Sequence, residues 1–349
     1  MNQVKPGYTR SLDIKNGRVD MGHGSGGRAM MQIIEMLFAV AFDNEYLSQG
    51  NDGALLPQCN GRLVMATDSH VVSPLFFPGG DIGCLSVHGT INDIAVMGAR
   101  PLYLAASFIL EEGFPLADLK RIVESMAHAS RKTGVPIVTG DTKVVERGKG
   151  DGIFITTTGI GIVPDGVHLS GNLACPGDKI LLSGTIADHG MAIMSKREGL
   201  AFDAPIISDT AALHGLVETL MNGGVKLRAM RDPTRGGLAT TLNEIARQSG
   251  VGMMLYESAI PINQTVEAAC EFLGLDPLYI ANEGKLVMIC AAEDANSALH
   301  LMRSHPLGKR ASIIGEVLED ANYFVQMTTE MGGRRIVDWL AGEQLPRIC

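Results

Sequence analysis

The sequence predicts a mixed α/β fold, of α+β or layered α/β type, in two domains. Three observations carry this. Apolar runs of strand length alternate with helix-period segments along the chain. Its 349 residues are enough for about two domains. The Gly/Pro/Asn/Asp-rich stretch "PDGVHLSGNLACPGD" interrupts the alternation, which restarts at "KILLSG". The expected organisation is residues 1–170, residues 171–330, and a mobile C-terminal tail, 331–349.

In the first half, "RLVMATDS" reads as a strand with a polar tip and "LYLAASFIL" as a buried strand. "PLADLKRIVESMAHASRKTG" reads as an amphipathic helix, with Leu116, Leu119, Ile122, Val123, Met126 and Ser130 on one face and a glycine stop. "VPIVTGDT" and the β-branched "FITTTGIGIV" follow as strands. "RAMMQIIEMLFAVAF" reads as a helix, with Met30, Met31 and Met36 in its core. In the second half, helices are expected in "DTAALHGLVETLMNGG", "GGLATTLNEIARQSG", "TVEAACEFLGL" and "DANSALHLMRSH". Strands are expected in "VKLRAM", "VGMMLY", "KLVMICA" and "ASIIGEVL".

Composition narrows the function. A net charge of −9 argues against broad binding to nucleic acid or an anionic membrane. Apolar runs such as "YLAASFIL" fall short of the roughly 20 residues a membrane helix needs, and the N-terminus lacks a signal-peptide core. A cytoplasmic protein is expected. The six cysteines form no C-x-x-C pair and the nine histidines no H-x-x-x-H spacing, which leaves zinc chemistry unsupported and fits reduced thiols. One of those thiols, Cys349, is the last residue, where a chain end can carry it between places.

Four carboxylates stand at or near ends of apolar segments: Asp52, Asp68, Asp93 and Asp141. Such hard oxygen ligands suit magnesium shared with phosphates, and each singly also suits a cap or turn. "GHGSGG", which includes Gly24, Ser25, Gly26 and Gly27, precedes a helical segment and could cradle phosphate through its amides, although it matches no Walker or Rossmann pattern. In "RDPTRGGL", Arg231 and Arg235 flank a turn that reads either as a second oxyanion site or as a charged surface turn. Lys143 could meet a phosphate as a point charge. Glu283, in "NEGK", reads as a general base or as a solvated turn residue.

The ordered set "GHGSGG", "TDS", "GTINDIAVMGA", "GDTKVV", "RDPTRGGLATTLNEIA", "NEGKL" and terminal "PRIC" closely resembles the HypE family of hydrogenase maturation proteins across nearly the whole chain. That family sits with aminoimidazole ribonucleotide synthetase and selenophosphate synthetase. The resemblance implies their two-domain architecture, with N-terminal domains paired across a β-barrel-like interface in a homodimer. It further implies ATP and magnesium as cofactors, and a partner, HypF, that carbamoylates Cys349. ATP-dependent dehydration to a thiocyanate and delivery through HypC–HypD would follow. By the same resemblance Asp52, Asp68, Asp93 and Asp141 would carry or organise magnesium and ATP. The loop from Gly24 to Gly27 (with Ser25), Thr90 and Asn92 would line the nucleotide, Lys143 would face the phosphate, and Glu283 would act as base. Asn51 stands where relatives often have a second carboxylate, and the segment before the glycine loop is longer than usual.

Two rival readings are open to the sequence. One is a synthetase acting on a free small molecule, disfavoured because the cysteine nearest the glycine loop is the distant Cys59. The other is a non-catalytic carrier of a group on its thiol, which would need no ATP.

Overall fold

The computed structural model describes residues 12–200, 202, 204–342, 347 and 348. The glycine-rich loop forms a 3-10 turn, Met21–Gly24, ahead of α1 (Arg28–Ile33). A π turn, Ile34–Phe38, then leads to α2 (Ala39–Ala41). The wider turn alters which side chains face inward. Ile33, Leu37 and Phe38 are buried, whereas Met31 and Met36, expected in the helix core, are 48% and 40% exposed.

Strands β1 (Arg62–His70), the short pair β2 (Phe76–Phe77) and β3 (Gly80–Asp81), β4 (Arg100–Glu111), β5 (Ile137–Val145) and β6 (Ile153–Val163) belong to the first half. Four of them make a sheet in the order β1-β6-β4-β5. Only β4 and β5 are parallel, and parallel neighbours need a crossover. The expected amphipathic helix supplies it as α4 (Leu116–Thr133), ending on Gly134 at φ 72°.

A helix the periodicity did not predict, α3 (Ile82–Val96), lies between this sheet and α4. It is capped by Asp81, which accepts from the amides of Gly83 and Cys84 at 2.8 and 3.0 Å. Twelve of its fifteen residues are buried, so it has no polar face to reveal a helical period. It packs close because β6 offers glycine beneath it: a Cβ at Gly159 or Gly161 would fall 2.5 or 2.3 Å from the Ile94 side chain.

The second half builds a seven-stranded sheet, β13-β12-β9-β11-β7-β10-β8. Its strands are β7 (Lys179–Leu182), β8 (Leu227–Arg231), β9 (Gly252–Tyr256), β10 (Val287–Cys290), β11 (Ser312–Leu318), β12 (Val325–Thr328) and β13 (Arg334–Ile336). Helices α5 (Asp188–Arg197), α6 (His214–Asn222), α7 (Gly237–Ser249), α8 (Gln264–Leu273) and α9 (Ala295–Ser304) complete it. Alternation along the central strands divides the core. Ile180, Leu182, Val287 and Ile289 pack with Leu238, Leu242 and Ile245 of α7. Leu181, Met288 and Cys290 face Leu216 and Leu220 of α6 and Met302 of α9.

Helix α6 starts later than expected, because Asp209 to Leu213 are spent on contacts across the seam between the two halves. Asn92 of α3 donates to the carbonyls of Ala211 (3.0 Å) and Glu283 (3.3 Å) and accepts from the amide of Leu213 (2.7 Å).

Candidate active site

Acidic side chains gather at this seam. Asp68 reaches it from β1, Asp93 from α3, Asp209 from the segment before α6, Asp232 from the end of β8, and Glu283 from the loop before β10. Burial pushes the Glu283 carboxyl well above the usual range, and the neighbouring charges of Asp232, Asp209, Asp68 and Asp93 push it further. Its Oε1 is buried without a hydrogen-bond partner. Burial, then Asp232 and Asp68, raise Asp93 to about 7, while burial is the main cause raising Asp232 to about 6.

The cluster is partly balanced by cations. Arg235 lies 3.5 Å from Asp68, and Lys285 lies 2.9 Å from Asp209. Asp209 also accepts from the amide of Glu283 at 3.1 Å, which fixes the backbone that carries the orphaned carboxyl. Despite its burial, the Lys285 ammonium holds the Asp209 carboxyl below its ordinary range.

A second group of residues lines the other edge of the first sheet. Gly24 presses on β5, where a Cβ would fall 2.8 Å from the amide nitrogen of Val144, so the loop needs glycine there. Gly26, at φ 76°, and Gly27 have open space or only distant neighbours around the same position. One residue from Val144, Lys143 pairs with Asp141 at 2.8 Å, and hydrogen bonding from Lys143 holds that carboxyl low. Beside them an apolar cavity of about 170 Å³ lies between Met30, Ile34 and Phe38 and the strand residues Phe108, Thr139 and Asp141.

Comparison with known proteins gives this arrangement a context. Residues 50–163 match the family "AIR synthase related protein, N-terminal domain", and residues 175–328 match "AIR synthase related protein, C-terminal domain". The chain is 70% identical over 347 residues to carbamoyl dehydratase HypE of Cupriavidus necator, covering 99% of both chains. The chain belongs to the HypE family. A HypE crystal structure in complex with ATP superposes with a TM-score of 0.91 at 51% identity, covering 94% of this chain and 99% of that one. A HypE–HypF complex matches at a TM-score of 0.78 and 54% identity, over 88% of this chain and 99% of that one.

In this HypE-family fold the expected site residues fall into three groups. Asp68, Asp93 and Glu283 share the acidic seam. Gly24, Ser25, Gly26, Gly27, Asp141 and Lys143 cluster about the glycine loop and β5. The others belong to neither cluster of charged side chains, although Asn92 borders the seam. Asp52 is exposed in the irregular segment before β1. Thr90 is buried and bonds Thr157 Oγ1 at 2.6 Å, and Asn92 gives its amide to the seam. Cys349 lies outside the described residues.

Three residues gathered at the seam escaped the sequence reading. Asp232 sits inside "RDPTRGGL", where the arginines drew the reading, and Asp209 sits in a stretch read as the start of a helix. His189, on α5, is fully buried beside Asp209. A neighbouring proline at Asp232 and a neighbouring glycine at His189 are the only local signals, and Asp209 gives none.

The side chains gathered here suit a nucleotide and a cation by their charge. Among the described residues no three His, Cys, Asp or Glu side chains are spaced to cage a metal ion. The fit is one of charge: several buried carboxyls raise one another's proton affinity, as expected where a cation shared with phosphate normally offsets them.

Proposed function

We infer that the chain is an ATP-dependent carbamoyl dehydratase acting on its own C-terminal cysteine, Cys349. It turns an S-carbamoyl group into a thiocyanate that supplies cyanide for nickel–iron hydrogenase maturation. The observation that carries this reading is the position of the last described residues. Ile348 is 4% exposed and packs into the first domain's core, and its carbonyl is held by His189, next to Asp209 and Glu283 in the seam.

An amide oxygen leaves poorly, and transfer of the ATP γ-phosphoryl group to it makes a good leaving group. Loss of both nitrogen protons with departure of phosphate leaves C≡N on the sulfur, and the water formally removed ends in ADP and phosphate. Glu283 is suited to take a proton, because burial and its acidic neighbours raise its proton affinity. Lys143 offers its charge to the transferred phosphate from beside the glycine loop. Asp68, Asp93, Asp141 and, from its exposed segment, Asp52 are the carboxylates that would hold magnesium, which when bound supplies charge neutralisation for the phosphates. The apolar cavity beside α1 offers a surface for the purine base.

The partner set follows from the same reading: HypF as carbamoyl donor and HypC–HypD as cyanide acceptor, in the cytoplasm. No helix among the described residues is long and apolar enough to cross a membrane. A homodimer is supported by the first sheet's uncovered face. There Leu63 and Met65 of edge strand β1 are 62% and 71% exposed opposite Ile162 and Ile160. The test is intact-mass analysis after incubation with HypF, carbamoyl phosphate and ATP. The expected product has lost one water from the carbamoylated mass, with peptide mapping placing the group on Cys349. Label on Cys59, Cys84, Cys175, Cys270 or Cys290 instead would overturn the reading, as would carbamoylated Cys349 that ATP leaves unchanged.

A further inference from the structure

The end of the chain is held by two consecutive backbone carbonyls. The carbonyl of Arg347 accepts from Nη2 of Arg197 at 2.8 Å and from the amide of Ser73 at 3.2 Å. Arg197 is tied down in turn, donating through Nε and Nη2 to the carbonyl of Ser73 at 3.0 and 2.7 Å. The next carbonyl, that of Ile348, lies 2.9 Å from Nε2 of His189. The Arg347 guanidinium pairs with Asp151, and Arg347 takes φ 57°, a left-handed backbone seldom adopted by a residue with a side chain.

The hydrogen bonds around His189 define its tautomer. A carbonyl only accepts, so Nε2 carries the proton. Burial lowers the proton affinity of the fully enclosed ring, which favours Nδ1 as an acceptor once Nε2 donates. Ser208 Oγ stands 2.7 Å from Nδ1 and donates to it while accepting from the amide of Thr210 at 3.2 Å. Phe77 meets the ring edge-on at a centroid distance of 5.5 Å. No rotation of this imidazole is free. The residue after Ser208 is Asp209, which holds the backbone amide of Glu283.

We propose that His189 is a positioning residue for the dehydration: by binding the Ile348 carbonyl it fixes the peptide plane that begins residue 349, and so sets where that residue's sulfur group meets the seam. The inference rests on the function proposed above. The Ile348 carbonyl and the amide nitrogen of Cys349 belong to one rigid peptide unit, so anchoring the oxygen fixes the origin of the cysteine. Recognition is of backbone position, not side-chain type, so the latch counts residues. A hydrogen bond of this kind is weak enough to release the tail to a partner and directional enough to restore one register on return.

The experiment compares His189→Phe, which keeps an aromatic ring against Phe77 without the donor, with His189→Gln, whose amide nitrogen reaches toward the place of Nε2. Docking is read by the rate of Cys349 alkylation with iodoacetamide, followed by peptide mapping. Chemistry is read by single-turnover dehydration of the carbamoylated chain, with ATP affinity, carbamoylation by HypF and melting temperature measured alongside. His189→Phe is expected to raise Cys349 alkylation about tenfold and to slow dehydration at least tenfold, with ATP affinity and carbamoylation unchanged. His189→Gln is expected to recover most of both. Unchanged alkylation and turnover in a folded His189→Phe overturn the proposal, and so does a well-folded His189→Gln that recovers neither. Should His189→Phe fail to fold, Ser208→Ala, which removes only the hydroxyl that orients the ring, is expected to shift both readouts the same way, and no shift overturns it. The alkylation arm needs no catalysis, so it separates failure of the latch from failure of the proposed activity.

Discussion

Lys285 and Asp209 meet at 2.9 Å inside the domain seam, their side chains 12% and 4% exposed, and the same carboxylate holds the amide of Glu283. A buried pair of this kind adds little net stability, but removing one partner strands the other charge. Lys285→Met is therefore expected to cost about 3–5 kcal/mol, measurable by denaturant unfolding. Because the Asp209 carboxyl is depressed, its contribution is complete above the unfolded carboxylate value of about 3.9 and is lost as pH falls through the folded value. Acid melts of Asp209→Asn should lack that part of the wild-type fall. An identical pH profile would mean that Asp209 titrates normally.

Glu283 works in the opposite sense. Its raised proton affinity makes it a source of instability that grows as pH rises above the unfolded value of about 4.3. Glu283→Gln is expected to melt higher than the parent at neutral pH, with the gain shrinking toward pH ~4. It should still bind ATP while dehydrating about 10²–10⁴-fold more slowly. A variant both less stable and fully active would remove Glu283 from the role of base.

Asp93→Asn and Asp141→Asn separate the two clusters. Asp93 is raised to about 7, so its replacement removes a charge that is only partly present at neutral pH and should relieve Glu283. Asp141 pairs with Lys143 on the surface, where such a pair contributes about 0–1 kcal/mol, so its loss should leave the melting point near wild type. Both are expected to weaken magnesium-dependent ATP binding in titration calorimetry. Normal binding by both would refute the carboxylate assignment.

Met65→Asp places a charge on the uncovered face of β1, beside Leu63 and opposite Ile160. A monomer in light scattering at micromolar concentration is expected, with the secondary structure unchanged, since the site is already solvent-facing in one chain. A wild-type monomer under the same conditions would dispose of the dimer.

The parts of this fold that were legible in the sequence are those with two different faces. Helix α4 displays its apolar stripe and its glycine stop, and β6 alternates residue by residue, so both follow from periodicity. Helix α3 does not, because protein surrounds it and no polar side remains to set a period. The π turn after α1 is invisible for a different reason: it shifts the helical period by backbone geometry without changing the hydrophobic content of the segment. For the site, carboxylates at or near the ends of apolar segments drew the reading to Asp68, Asp93 and Asp141. Asp209, Asp232 and His189 could not be announced, since their importance arises from neighbours brought in by other elements.

Asn92 acts as the keystone of an arch. Its amide gives both donor and acceptor to the other half of the molecule, at Ala211, Leu213 and Glu283, in a place where water does not replace a lost contact. Neither half can swing by the length of a hydrogen bond without orphaning backbone groups in a dry joint. Selection for the chemistry is thereby also selection for the mutual orientation of the halves.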